Sequence, residues 1–195
     1  MTELSPEITT QPEAGPAPNT LKRFLLDILE TLVLSVVLFL AINTVSARVR
    51  VDGFSMLPTL HNAEFVLVNR LAYRFGQPER GDIIVFRFPV NPKEDLIKRV
   101  IGLPGEDIAI SDGHVFVNGA LLVEGYIAAS PEYEGKWNVP EDQLFVLGDN
   151  RNDSSDSHSW GLVPIENVVG KAVLVYWPFD NWTIIKHAQL VLAAP

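Results

Sequence analysis

Ser55 is the residue of this sequence that best combines a reactive group with an accessible setting. It follows Gly53, which lets another backbone approach closely, and it stands where a strand-like pattern breaks into the turn-forming residues 56–58. A hydroxyl is a poor nucleophile until a neighbouring base removes its proton. Ser55 therefore predicts nucleophilic catalysis only if the sequence also supplies a base.

Lys98 is one candidate for that base. It lies in the apolar run LIKRVI, and strand alternation puts it on the same side as Leu96 and Val100. Burial there would lower the pKa of the lysine and favour the neutral amine, which can accept a proton. The same run is also typical of a surface strand with solvated charges, so the local pattern leaves both interpretations open.

His158 is the other candidate base. It shares a very polar segment, residues 148–161, with Asp156, and the two could form a Ser-His-Asp arrangement with Ser55. Histidines in such loops are mostly solvated. This arrangement also stays open on the residues alone.

Four segments of the sequence resemble type I signal peptidases, in the same order and at similar separations. They are GFSMLPTL (53–60), RGDIIVF (80–86), IKRVIGLPGE (97–106) and GDNRNDSSDSHSWG (148–161). The short interval between the last two is similar to that of the compact, single-anchor members. The resemblance implies a membrane-anchored serine endopeptidase that cleaves N-terminal signal peptides from exported preproteins after small residues.

The resemblance also implies a role for each matching residue. Ser55 matches the nucleophile and Lys98 its general base. Ser154 matches the position whose hydroxyl contacts the lysine ammonium, and Asp149 the position that pairs with the arginine beside the lysine, here Arg99. These are expectations carried over by position.

Two positions depart from the pattern of the family. Asp156 matches a structural acid, but His158 stands where some members carry arginine, which puts in doubt a salt bridge between these two positions at neutral pH. Gly53 stands where some members carry a serine that helps the backbone N–H of Ser55 to bind the oxyanion. The second donor would then be a backbone group or water.

The resemblance further implies shallow apolar pockets for small substrate residues, with the substrate added as a strand. The matching positions are Val49, Val51, Met56, Leu60, Leu96 and Ile97. Taken alone, each of them is better explained as an ordinary core residue.

An apolar helix is predicted over residues 21–47. Residues 31–47 contain no charge, glycine or proline, and the whole stretch is long enough to span a bilayer. A buried helix of a soluble protein and a signal peptide removed after Val45-Ser46-Ala47 are the alternatives. Residues 1–20, rich in proline and glutamate, are predicted to be a disordered tail.

Strand patterns follow the helix and alternate with turn signals. The runs rich in Val, Ile and Phe are residues 64–69, 82–88, 96–101, 143–147 and 168–177. A type II turn is predicted at Leu103-Pro104-Gly105, and hairpins at Asp112-Gly113 and Asn118-Gly119. The pattern predicts a mainly β fold: one transmembrane helix, a partly closed antiparallel β-sheet catalytic domain over residues 48–186, and a tail over 187–195.

Composition excludes several other classes of function. A net charge of −9 leaves no broad basic surface for nucleic acid. The absence of cysteine excludes thiol catalysis and disulfides. No metal or cofactor is expected, because the histidines lack ligand spacing: His61, His114, His158 and His187.

Two competing functions are weighed against the peptidase. A self-cleaving repressor of the SOS type shares the Ser-Lys chemistry, but it predicts a DNA-binding helical domain where this chain has an apolar span. A membrane-tethered β module that binds an exported partner needs no nucleophile. Labelling of Ser55 by an acylating inhibitor would distinguish the enzyme from the binding module.

The membrane and its sidedness are predicted from function. Lys22 and Arg23 precede the span, whereas Arg48 and Arg50 follow it, so charge gives no clear orientation. We expect a single-pass protein of a bacterial plasma membrane with the catalytic domain outside the cytoplasm, the thylakoid membrane being the alternative. The expected partners are preprotein signal peptides and the lipid bilayer, near the export machinery.

Overall fold

The computed structural model describes residues 20–188 and 191–192. The predicted disordered tail over residues 1–20 lies outside the described residues, apart from Thr20, which begins the first helix. The chain divides into two compact units, with the boundary between Ile42 and Asn43.

Helix α1 (Thr20–Val45) contains 26 residues, and its most apolar window has a mean hydropathy of 2.5. Its length and composition are sufficient to cross a membrane, and none of that window is buried, unlike the core helix of a soluble protein. The hydroxyls of Thr31 and Ser35 donate to carbonyls one turn earlier, so they are satisfied within the helix. The helix ends before Ser46 and Ala47, which were predicted within the span but form part of a strand.

The strands occupy most of the predicted β regions. They are β1 (Ser46–Arg50), β2 (Phe65–Asn69), β3 (Ile83–Arg87), β4 (Asp95–Gly102), β5 (Asp107–Ser111), β6 (His114–Val117), β7 (Ala120–Val123), β8 (Gly135–Asn138), β9 (Gln143–Leu147), β10 (Val163–Pro164), β11 (Val168–Trp177), β12 (Thr183–Ile184) and β13 (Val191–Leu192). One short helix, α2 (Ser157–Trp160), and two 3-10 turns, Ile165–Asn167 and Phe179–Asn181, lie among them.

The larger sheet has the order β1-β2-β11-β3-β4-β9-β10, with β12 paired to β11. Its pairings are antiparallel. The chain that leaves the edge strand β1 reaches β4, four places along the strand order, where Ser55 contacts Lys98. The predicted mainly β, partly closed antiparallel fold is therefore confirmed.

The smaller sheet has the order β13-β7-β6-β5-β8. Both predicted hairpin turns occur in it, and their residues have the positive φ angles that two-residue turns require, 50° and 73° at Asp112-Gly113 and 50° and 82° at Asn118-Gly119. β13 pairs with β7, so part of the segment predicted as a C-terminal tail contacts the domain.

Strand β4 is fixed by packing on both faces. Ile97 belongs to a core cluster with residues of β2 and β3, Ile101 to a cluster with the smaller sheet, and Val100 to a third cluster with β3 and β9. Such dense packing restricts the movement of the strand. β4 is therefore a rigid support for Lys98 and Arg99, which it carries between these core residues.

Candidate active site

Ser55 lies in the turn that follows β1, where buried neighbours hold the chain. Met56 and Leu60 are each 1% exposed, and Leu60 N donates to the Met56 carbonyl at 2.9 Å. Gly53 has a φ of +103°, a conformation that favours glycine. The predicted accessible serine is thus half-buried on a turn anchored in the core.

Lys98 faces Ser55 directly. Its Nζ lies 2.6 Å from Ser55 Oγ, and the residue is 4% exposed. Burial lowers the pKa of Lys98 to about 8, although Asp156 and Asp149 raise it. Within the described residues no carboxylate lies within salt-bridge distance of Nζ. The amine can therefore become neutral and accept the proton of Ser55.

Arg99 and Asp149 form a buried bidentate ion pair. Arg99 Nε and Nη2 donate to the two Asp149 oxygens at 2.7 and 2.6 Å, and both side chains are at most 1% exposed. Arg99 Nη1 also donates to the Gly81 carbonyl at 2.9 Å. This pair ties β4 to the polar loop, residues 148–161, as the resemblance implies.

Asp156 is fully buried and organises the polar loop. It caps α2, accepts a hydrogen bond from Gly148 N at 2.9 Å and lies 2.7 Å from His158 Nδ1. The His158 ring stacks on Tyr133, with 3.9 Å between the ring centroids. His158 therefore contacts Asp156, as a salt bridge at these positions requires, whereas the side chain that contacts Ser55 Oγ is Lys98.

Ser154 lies beside the turn that carries the nucleophile. A Cβ added to Gly148 would come 2.3 Å from Ser154 Oγ and 2.4 Å from the Ser55 carbonyl oxygen, so these groups crowd around one glycine. Ser154 Oγ is buried and has no hydrogen-bond partner in the described part of the chain. Its contact with the Lys98 ammonium stays a prediction.

Asn150 contributes to the site, although the sequence reasoning did not single it out. Its backbone N–H donates to the Ser55 carbonyl at 3.0 Å, and its side-chain Nδ2 donates to the Phe54 carbonyl at 3.2 Å. These bonds fix the peptides on either side of the nucleophile. Its position in the Gly-Asp-Asn turn was the available signal.

The oxyanion site is open at Gly53. No atom lies within 4 Å of the place where a Gly53 Cβ would be, and Gly53 N donates to Asn62 Oδ1 at 2.9 Å. Among the described residues, Ser55 N–H has no acceptor. It is therefore free to bind an oxyanion.

The expected pocket residues divide between two parts of the core. Four are buried in one cluster with Val49 packed against it: Val51, Met56, Leu60 and Ile97. Leu96 packs instead against the cluster that contains Val100. The structure thus brings five of the six together and separates Leu96.

Strand β4 leaves half of one edge unpaired. β9 pairs with β4 from Arg99 onward, whereas Asp95 to Lys98 pair with β3 alone. Unpaired backbone groups at such an edge can take an added strand. The free edge ends at the candidate base.

The described residues contain no group of three or more His, Asp or Glu side chains that could hold a metal ion. The site consists of a hydroxyl, an amine and their supports. A hydroxyl beside an amine that can lose its proton has the chemistry of a nucleophile and its base.

Comparisons with known proteins agree with this geometry. The family described as "Signal peptidase, peptidase S26" matches residues 25–177. The chain is 43% identical to a probable signal peptidase I-2 of Synechocystis sp., over 91% of this chain and 83% of that protein. It is 46% identical to a signal peptidase I of Leptolyngbya laminosa, over 87% of this chain and 89% of that protein. A crystal structure of a signal peptidase I from Enterococcus faecalis V583 is 35% identical and covers 49% of this chain and 96% of that chain, with a TM-score of 0.46.

Proposed function

Because the chain belongs to the signal peptidases of family S26, we propose that Ser55 and Lys98 perform its reaction. The protein is a serine endopeptidase that cleaves N-terminal signal peptides from preproteins. The observation that carries the residue assignment is the 2.6 Å separation of Lys98 Nζ and Ser55 Oγ. Family membership removes the self-cleaving repressor and the non-catalytic binding module as alternatives.

The reaction proceeds through an acyl-enzyme. Neutral Lys98 takes the proton of Ser55 as Oγ attacks the scissile carbonyl, and the Ser55 N–H stabilises the resulting oxyanion. The protonated amine then gives its proton to the leaving amino group, which departs with the mature protein. Lys98 next deprotonates a water molecule, which attacks the ester and releases the signal peptide from Ser55.

Three supports keep the dyad in place. The Arg99–Asp149 ion pair fixes β4 against the polar loop, and Asp156 holds the loop through Gly148 N. Ser154 Oγ, a buried hydroxyl beside the nucleophile turn, is available to the Lys98 ammonium once the proton has moved. We expect Ser154→Ala to lower the rate while the fold is retained.

The substrate adds as a strand along the free edge of β4. Its small residues pack against half-buried Val49, behind which lie the buried side chains of Val51, Met56, Leu60 and Ile97. Main-chain hydrogen bonds supply affinity and the pockets supply selectivity. Ala at the first and third positions before the cut fits this arrangement.

The membrane assignment is supported by α1, whose length and hydropathy suit a single-pass anchor. Trp177, Phe179 and Trp182 are 46%, 73% and 59% exposed, as interfacial aromatic residues are. We place the catalytic domain outside the cytoplasm of a bacterium, at the plasma membrane near the export machinery. The thylakoid membrane remains the alternative, since a thylakoidal processing peptidase of Arabidopsis thaliana is 37% identical to the chain.

The test is cleavage of a preprotein by the detergent-solubilised protein and its variants. Ser55→Ala and Lys98→Ala should abolish cleavage, whereas His158→Ala should retain most of it. Since Lys98 acts as a base only when neutral, activity should rise with pH through about 8. A histidine base would place the rise near ~6.5. An active Lys98→Ala protein beside a dead His158→Ala protein would replace the dyad with a Ser-His-Asp triad.

A further inference from the structure

The connection between β7 and β8 reaches from the smaller sheet into the polar loop. Asn152 Nδ2 donates to the Ser130 carbonyl at 2.9 Å, and Glu132 N donates to Asn152 Oδ1 at 2.9 Å. Glu124, at the beginning of this connection, accepts hydrogen bonds from both terminal nitrogens of Arg151, each at 2.6 Å. The polar loop is thus supported by a segment that belongs to none of the four motifs singled out in the sequence.

Tyr126 occupies the centre of this contact, between two buried guanidinium groups. Its ring lies 4.0 Å from Arg99 Cζ and 5.8 Å from Arg151 Cζ. Its hydroxyl donates to Glu124 and accepts from Arg151 Nη2, the latter at 3.1 Å. A guanidinium over the face of an aromatic ring is attracted to it, most strongly where water is excluded.

The charges of this network balance. The two cations, Arg99 and Arg151, face two carboxylates, Asp149 and Glu124, and the four side chains are at most 5% exposed. Removing one partner of a buried ion pair, or admitting water beside it, strongly changes the energy of the pair. The position of each of these side chains therefore depends on the others. Tyr126 is the neutral side chain that joins the two pairs.

Lys98 depends on this network for its position. Its Nζ bonds to Ser55, and on the β9 side strand pairing of β4 begins only at the next residue, Arg99. The buried ion pair of Arg99 with Asp149 thus adds an anchor beside Lys98 to the packing of Ile97 on its other side. A shift of Arg99 would move Lys98 with it.

We propose that Tyr126 is a positioning residue for this reaction: its ring fixes Arg99 and, through it, the segment of β4 that presents Lys98. The inference rests on the proposed function, because it assumes that Lys98 is the base. Tyr126 itself contacts neither the substrate nor the nucleophile. The smaller sheet thereby contributes to the geometry of the reaction.

The experiment compares Tyr126→Leu with Tyr126→Phe in the full-length, detergent-solubilised protein, using a soluble peptide substrate. Tyr126→Phe keeps the ring over Arg99 and should retain the wild-type kcat. Tyr126→Leu loses the ring, so kcat should fall ~10- to 100-fold, as ~1 Å of misplacement can cause. KM should stay unchanged, because Tyr126 lies away from the free edge of β4.

The pH profile separates positioning from general destabilisation. Water that enters beside Arg99 weakens the desolvation that lowers the pKa of Lys98, and the carboxylates facing Lys98, Asp149 and Asp156, both raise that pKa. The activity rise of Tyr126→Leu should therefore move to higher pH. Tyr176→Leu is the control, since it removes another half-buried tyrosine ring, which contacts Phe65 rather than an arginine.

Each outcome decides one proposal. A Tyr126→Leu protein with wild-type kcat and pH profile, or a Tyr176→Leu protein with the same alkaline shift, overturns the positioning role. If Tyr126→Leu does not fold, Tyr126→Met fills a similar volume and carries the same expectation. A wild-type protein without a rise near pH 8 contradicts the Lys98 assignment instead, and Tyr126 is then not at issue.

Discussion

Burying Lys98 works against folding, because an ammonium group loses hydration when it leaves water. The residue is 4% exposed, and its pKa falls from 10.5 to about 8. The unfolded chain therefore binds more protons than the folded one between these pH values, and stability rises with pH across that window. Below about pH 8 the full cost of the buried charge applies, and above about 10.5 it disappears.

Lys98→Met should consequently produce an inactive protein that is more stable at neutral pH. At ~1.36 kcal/mol for each pH unit between the two pKa values, the gain is at most about 3 kcal/mol, and it should shrink to nothing as the pH approaches 10.5. Denaturant unfolding of the solubilised protein from pH 6 to 11 measures it. Lys171→Met is the control: its ammonium is paired with Asp82, so its loss should destabilise. If Lys98→Met changed the free energy of unfolding by the same amount at every pH, burial would not shift the pKa of Lys98.

Individual residues differed in how far the sequence could reveal them. Ser55 and Lys98 combine reactive groups with distinctive neighbours, and the family pattern placed the Arg99–Asp149 pair correctly. Tyr126 could not be found in this way, because its role depends on a contact between the β7–β8 connection and β4 that no local pattern encodes.

At the scale of elements, strands with clear periodicity were predicted well. β9 and β11 have the predicted bounds, and Gly105, with a φ of 78°, supports the predicted turn. Among the elements that were not predicted, two illustrate the physical reasons. β8, GKWN, has one large apolar residue and no alternation to detect, while α2 owes its four residues to the Asp156 cap rather than to helix-forming side chains.

Strand β1 makes a further prediction about the anchor. Ser46, Ala47 and Arg48 pair in register with Asn69, Val68 and Leu67 of β2, so the Ala47–Arg48 bond lies inside a ladder. A protease needs that bond extended and unpaired in its own cleft. We therefore expect the segment over 21–47 to be retained, although Val45-Ser46-Ala47 has the composition of a cleavage site.

Intact mass of the membrane-extracted protein tests this expectation. The mass should include the helix. Ala47→Leu places a side chain too large for a cut after this residue. Its mass should differ from that of the wild type only by the substitution. The segment would be a removed signal peptide if the wild-type mass corresponded to a protein that begins at Arg48 and the Ala47→Leu protein had the full-length mass.

At the scale of the whole molecule, charge is a poor guide to orientation. Basic residues flank the apolar span on both sides, which cancels the asymmetry that usually sets topology. The net charge of −9 argues against a nucleic-acid partner, but it carries no information about sidedness. Function supplies the orientation, because exported preproteins are processed where they emerge.

The absence of cysteine from the chain makes this orientation directly measurable. A single cysteine introduced by Lys136→Cys, at an exposed position of β8, should react with a membrane-impermeant maleimide in intact cells. One introduced by Thr10→Cys, before the span, should react only after the membrane is permeabilised. The unsubstituted protein is the blank, since it has no thiol to label. The reverse pattern would place the catalytic domain in the cytoplasm, and labelling of both positions in intact cells would show that the helix does not span.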